Sequence, residues 1–173
     1  MLKIVRNDIT KMECEAIVNT ANEAPIIGAG CDMAIYEAAG KEELLEARKK
    51  IGYLEEGEAA ITPGFQLKAD YIIHAVSPLY EEGSTFVEKK LRACYKNSLS
   101  LAKEHHISSI AFPLIATGSF GYSKEEGLRI AVDEINGFLL REDMEVYLVV
   151  FSDEVKSLVD KIAPDIKEYI DRY

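Results

Sequence analysis

The chain has 173 residues, 48% hydrophobic and 29% charged, enough to bury one sizeable core and short for two independent ones. Its formal net charge of −10 and the lack of any basic run argue against a nucleic-acid partner, because phosphate backbones are bound chiefly by Lys and Arg. The longest apolar runs, Tyr71 to Val76 and Val146 to Phe151, fall far below the roughly 20 residues of a membrane-spanning helix, so no membrane partner is expected.

The chain length predicts one domain over residues 1–173, and because Met1 to Asp8 lacks the basic, apolar and small-residue order of a secretory signal and suits a first strand, a cytoplasmic location is expected. Strands are expected over Leu2–Val5, Glu15–Asn19, Glu58–Thr62, Tyr71–Val76, Ser108–Leu114 and Glu145–Phe151. Several are apolar on both faces, as in largely parallel sheets covered on each side. Between them lie stretches of helical period, near Asp32–Ala39 and Glu42–Lys50 with Gly40 as the stop between the two. A third stripe runs through Val87, Leu91, Cys94, Ser98 and Leu101 behind Ser84. A fourth runs through Leu128, Ala131, Ile135 and Phe138 behind Ser123, both serines being suited to cap a helix. A last helix is expected from Glu154 to the end, carrying Val155, Leu158, Val159, Ile162, Ile166 and Ile170 on one face, with Pro164 as a kink. These helices outnumber what one face of six strands can carry, which predicts a three-layer α/β/α arrangement.

Cys14, Cys31 and Cys94 are odd in number and widely spaced, so they form neither a disulfide framework nor a metal-binding pair, and Cys14 and Cys94 suit small apolar fillers. No Cys or His cluster has ligand spacing, so neither a metal nor a cofactor is expected. His74 lies within an apolar strand and reads as a satisfied core residue.

Three segments break the periodicity at strand ends, where open α/β sheets place their ligands: Asn7 to Thr10, Asn19 to Asp32, and Ala116 to Tyr122. The second and third are glycine-containing strand-to-helix loops able to present N–H groups to a phosphate, with Phe120 and Tyr122 as aromatic faces for a sugar or base. Asp8 could equally be a turn residue or cap, and Asn22 a loop former.

Five blocks in order carry a resemblance: Asn7-Asp8-Ile9-Thr10; Ala16-Ile17-Val18-Asn19-Thr20-Ala21-Asn22; Gly57-Glu58-Ala59-Ala60-Ile61-Thr62; Ile72-Ile73-His74-Ala75-Val76-Ser77-Pro78; and Ile110-Ala111-Phe112-Pro113-Leu114-Ile115-Ala116-Thr117-Gly118. Together they span nearly the whole chain and resemble the macro domain family. That resemblance implies a macro-domain fold with a central mixed, mostly parallel six-stranded sheet and an ADP-ribose groove across its top. Asp8 then matches the acid that accepts from the adenine amino group, with Ile9 beside it. Asn22 matches the asparagine that hydrogen-bonds the distal ribose, while Asn19 fixes the loop. Gly28, Ala29, Gly30 and Cys31 fall on the first phosphate-facing loop, Thr117, Gly118, Ser119, Phe120, Gly121 and Tyr122 on the second, and Phe151 and Ser152 beside adenine.

Hydrolytic members of the family carry an aspartate where Asp32 stands, ten residues after Asn22, and a carboxylate there could activate water. Departures are Ile27 and Ala29 in place of glycines, Met33 in place of a small residue, and Tyr36 in place of a histidine. The resemblance thus leaves two expectations. One is a hydrolase acting on ADP-ribose linked to acidic side chains, or on O-acetyl-ADP-ribose, with Asp32 and Asn22 catalytic and Phe120 holding the ribose. The other is a noncatalytic reader of ADP-ribose or of an ADP-ribosylated protein.

Overall fold

The computed structural model describes residues 1–166 and 169–172. Seven strands form one sheet: β1 (Leu2–Arg6), β2 (Ala16–Ala21), β3 (Ala59–Pro63), β4 (Tyr71–Val76), β5 (Ser109–Pro113), β6 (Glu145–Val150) and β7 (Tyr169–Asp171). Five helices accompany them: α1 (Cys31–Ala39), α2 (Lys41–Ile51), α3 (Thr85–Glu104), α4 (Lys124–Leu139) and α5 (Glu154–Ile162). The spatial order is β3-β4-β2-β5-β6-β1-β7, and every pairing is parallel except β3 with β4.

Successive strand residues point to opposite faces, so doubly apolar strands feed two cores. Ile4, Val18, Ile73, Ile110 and Leu148 pack under α3, α4 and α5, while their chain neighbours Val5, Ile17, Ile72, Ala111 and Val149 pack under α1 and α2. Three layers follow directly. Each fully buried aliphatic side chain contributes about 1.5–3 kcal/mol from transfer alone. Ser84 accepts from Val87 N–H at 3.2 Å and Ser123 from Glu126 N–H at 3.1 Å, so both helices start at the expected caps.

The C-terminal expectation is corrected. α5 stops at Ile162, two residues before Pro164, and the chain returns as β7, parallel to β1. Ile166 packs against one core and Ile170 against the other, which a single helical stripe could not do. The sheet therefore has seven strands rather than six. Of the helix expected to reach the end of the chain, residues 167, 168 and 173 lie outside the described residues.

One feature of the register opens the molecule. β2 pairs with β5 only at Ala16↔Ile110 and Ile17↔Ala111; beyond these, β2 continues against β4 as far as Val76, and β5 against β6 as far as Val149. The sheet is split between β2 and β5 at its C-terminal end, the place where ligands enter open α/β sheets.

Candidate functional site

The split leads into a cleft of about 500 Å³, within the range of roughly 300–1,000 Å³ common for small-molecule sites. Its wall on the β1 and β6 side is Asp8, Ile9, Val149, Val150, Phe151 and Ser152. Asp8 caps the 3₁₀ turn Ile9–Lys11, its Oδ1 accepting from Thr10 N–H at 2.9 Å and Thr10 Oγ1 at 2.7 Å. The local role and a ligand role are therefore compatible, since the second carboxylate oxygen stays available as an acceptor. Phe151 is 58% exposed, an unusual position for a large aromatic outside a binding surface, and Arg6 Nε donates to its carbonyl at 3.1 Å.

The first loop contributes Ala29, Gly30 and Cys31, with Thr20 and Ala34 beside them. Gly30 is the N-cap of α1 at φ 66°, a conformation that suits glycine, and no side chain caps this helix. Uncapped first-turn N–H groups beside a cleft form an anion site, the helix dipole adding to them. The second loop contributes Ala116, Thr117, Gly118, Ser119 and Phe120. Ala116 is held at φ 68°, with its carbonyl accepting from Tyr122 N–H at 2.9 Å, and Thr117 Oγ1 donates to Leu114 O at 2.9 Å. Strain in a non-glycine residue costs on the order of 1–3 kcal/mol and here is stored where the loop meets the cleft. Lys124, paired with Glu154 at 3.1 Å, is the cation among the described lining residues, so a bound diphosphate would be met largely by backbone N–H groups.

Behind the first loop lies a buried polar chain. Asp32 is 4% exposed; its Oδ1 accepts from Asn19 Nδ2 at 2.7 Å and its Oδ2 from Gly28 N–H at 2.6 Å. Burial pushes its pKa above the ordinary carboxylate value, against the opposing pull of Asn19, Gly28 and Arg48. Asn19 Nδ2 also lies 3.1 Å from His74 Nδ1, and His74 Nε2 lies 2.9 Å from Thr62 Oγ1. Arg48, 1% exposed, donates to the carbonyls of Asn22 and Glu23 at 3.1 Å each and to that of Gly52. A buried guanidinium thus fastens the start of the loop from below.

Several expected ligand residues stand elsewhere. Asn22 does not line the cleft; its Nδ2 donates to Ile26 O at 3.1 Å. Gly28 and Asp32 are also set back from the lining. A Cβ at Gly28 would come within 2.9 Å of Asn22 Nδ2 and 3.4 Å of Asp32 Oδ2, so these three residues are clustered with no room for a side chain between them.

Tyr122 is corrected: it is 3% exposed and packs edge-on against Tyr80 at 4.8 Å, so it offers no face to a ligand. Gly121, at φ 96°, abuts Tyr80 and is likewise outside the lining. Tyr36 is buried in the core with Ile35 and Leu44, its hydroxyl pushed up to about 12 by burial, and adds no bulk to the cleft wall.

Thr20, Ala34, Pro113, Leu114, Lys124, Val149, Val150 and Val155, which the sequence did not mark, also line the cleft through the strand ends at the split, through α1 and through the starts of α4 and α5. Cys31 has its thiol pushed up to about 11, mainly by burial, so it is a poor nucleophile at neutral pH. Cys14 and Cys94 are buried fillers, each pushed up to about 12 by burial. Among the described residues, no group of three or more His, Cys, Asp or Glu is placed to hold a metal ion.

Known proteins resemble this chain over most of its length. The macro domain family profile matches residues 18–131. A macro domain-containing protein of Ralstonia nicotianae is 49% identical over 131 residues, covering 76% of each chain. An O-acetyl-ADP-ribose deacetylase of Salmonella newport is 38% identical over 167 residues, covering 93% of each. A glycine-to-valine mutant of the Oceanobacillus iheyensis macrodomain, solved with ADPR, superimposes with a TM-score of 0.89 at 40% identity, covering 95% of this chain and 92% of that one. With a family match over most of its length and close relatives covering nearly all of it, the chain belongs to the macro domain family.

Proposed function

We propose that the cleft binds ADP-ribose with adenine between Asp8 and Phe151, the diphosphate between the two loops, and the distal ribose toward Asn22, and that the domain hydrolyses acyl-linked ADP-ribose. The observation that carries the reading is the uncapped start of α1 facing the strained Ala116 loop across one cleft. A dianionic group fits between them without a lysine cluster. An acceptor carboxylate and an exposed aromatic lie together at one end.

Hydrolysis is assigned to Asp32. Two of its roughly four lone-pair sites are taken by Asn19 and Gly28, which fix the carboxylate, and the others can accept a proton from water. Attack of that water on the ester carbonyl of O-acetyl-ADP-ribose releases acetate and ADP-ribose. Burial raises the basicity of Asp32 toward working pH, as general-base catalysis favours. The Oceanobacillus iheyensis macrodomain has been solved with an asparagine, a glycine and an aspartate substituted at intervals of seven and three residues, and Asn22, Ala29 and Asp32 stand at the same intervals.

A noncatalytic reader is the second reading, favoured by the set-back position of Asp32 and Asn22 outside the lining. A single-turnover assay on O-acetyl-ADP-ribose and on a glutamate-linked ADP-ribosylated protein separates the two. Turnover that disappears in Asp32→Ala while ADP-ribose still binds supports the hydrolase. Full turnover in the variant removes Asp32 from the mechanism, and binding without turnover in the unmodified domain makes it a reader.

A further inference from the structure

Ile26, Tyr53, Leu79, Tyr80 and Phe86 are large apolar side chains between 37% and 67% exposed, of which Tyr80 also packs one edge against the buried Tyr122. They are joined to one another and to the cleft. Leu54 N–H donates to Glu23 O at 3.0 Å and the Tyr53 hydroxyl bonds the Glu23 carboxylate, tying residues 52–58 to the first loop. Leu79 N–H donates to Glu56 at 3.2 Å, and Tyr80 N–H to Phe120 O at 2.8 Å, tying residues 77–84 to the second.

The topology places this patch. The cleft spans the C-terminal ends of β2, β5, β6 and β1. β4 lies next to β2, followed by β3, whose first residue Ala59 pairs with Ala75 near the end of β4. The patch therefore continues the cleft along the same edge, on the side opposite Asp8 and Phe151. Residues 22–28, 52–58 and 77–84 carry Glu23, Glu55, Glu56, Glu58, Glu81 and Glu82 and no Lys or Arg. Arg48 reaches them from the buried side, bonding the Asn22, Glu23 and Gly52 carbonyls, and Lys90 of α3 lies 3.3 Å from Glu56 and 4.4 Å from the centre of the Phe86 ring.

We propose that this patch is the docking surface for the polypeptide that carries the ADP-ribose, and that it fits a segment with Lys or Arg and an apolar residue flanking the modified side chain. The inference rests on the proposed orientation of ADP-ribose, in which the distal ribose and whatever it is joined to leave the cleft over the patch. Contiguous exposed apolar surface beside a ligand cleft is where a macromolecular partner makes contact. Carboxylates around it favour a basic segment and repel an acidic one. The ligand class is then protein-linked ADP-ribose in a basic context rather than the free nucleotide.

The test is calorimetry with free ADP-ribose and with synthetic peptides bearing one ADP-ribose through a hydrolysis-resistant linkage, flanked either by Lys and Leu or by Glu and Leu. The Lys-flanked peptide is expected to bind about tenfold tighter than free ADP-ribose and the Glu-flanked one no tighter, with the difference shrinking in about 0.5 M salt. Glu55→Gln, Glu81→Gln and Glu82→Gln combined, or Leu79→Ser alone, should abolish the advantage and leave the Kd for free ADP-ribose unchanged. Equal affinity for both peptides and free ADP-ribose overturns the docking surface while the binding reading stands; no binding of free ADP-ribose overturns both. A dimer in sedimentation that Leu79→Ser converts to a monomer also overturns the proposal, because the patch then covers a second copy.

Discussion

His74 gives a stability prediction with a calculable size. It is fully buried on β4, beside Asn19 of β2 and Ala60 of β3 in the register. Asn19 Nδ2 is a donor only, so the Nδ1 it meets at 3.1 Å must be the unprotonated nitrogen, and Nε2 then donates to Thr62 Oγ1, which donates on to Pro63 O. Protonating Nδ1 would set one N–H against another. Burial, with Arg48 adding to it, holds the ring at a pKa of about 3, against the ordinary 6.5. Between these values the unfolded chain takes up a proton that the folded one refuses. Stability is therefore complete above pH 6.5 and is lost as pH falls toward 3. At pH 5 the loss comes to about 2 kcal/mol, from roughly 1.36 kcal/mol per pKa unit. Urea denaturation at pH 7.5 and 5.0 of the unmodified chain and of His74→Gln measures it, since glutamine can keep both hydrogen bonds but does not titrate. Contributions from Asp32 and other acids are common to both proteins and cancel in the difference. The unmodified chain should lose about 2 kcal/mol more than the variant on acidification; equal losses would refute the argument that His74 is held neutral.

Three further expectations follow from local geometry. Arg48→Met removes the side-chain donor from the Asn22 and Gly52 carbonyls, leaves Glu23 O with Leu54 N–H alone, and takes from Asp32 its nearby cation, so denaturant unfolding should show a loss of about 3–5 kcal/mol. In α4, a Cβ at Gly127 would lie 2.2 Å from Thr117 Cγ2 whereas one at Gly137 meets open space; Gly127→Ala should lower both Tm and ADP-ribose affinity, and Gly137→Ala should gain up to about 1 kcal/mol. Phe151→Ala should weaken ADP-ribose binding by about 1–3 kcal/mol, the range for stacking on a base. In the same titrations its Kd for ribose 5-phosphate should be unchanged.

The layered fold was legible because its strands are apolar on both faces and its helices on one. Ile17 and Val18, or Ile72 and Ile73, serve opposite cores, and a run of that kind admits few other architectures. The last helix was misread because Ile162, Ile166 and Ile170 keep helical spacing by accident across a turn and a strand. Pro164 kinks no helix; it follows the point where α5 has ended. Within the site, loop glycines and the caps at Ser84, Ser123 and Asp8 could be read from residue type, since each has a local reason. Tyr122 could not, because whether an aromatic faces a ligand or Tyr80 depends on a segment more than forty residues earlier in the chain. The buried clamp made by Arg48 was equally hidden: on a lysine- and glutamate-rich helix nothing local separates it from Lys49 and Lys50, which are exposed.

The central claim is that the cleft holds ADP-ribose with its adenine against Asp8. Titration calorimetry of ADP-ribose into the unmodified chain and into Asp8→Asn tests it most directly. The asparagine keeps an oxygen for Thr10 but replaces the acceptor proposed to face the adenine amino group with a donor. One-to-one binding is expected, weakening by about 1–3 kcal/mol in the variant, the cost of an unpaired polar contact, with no change in Tm. No heat from the unmodified chain, or equal affinity in the two proteins, would contradict it.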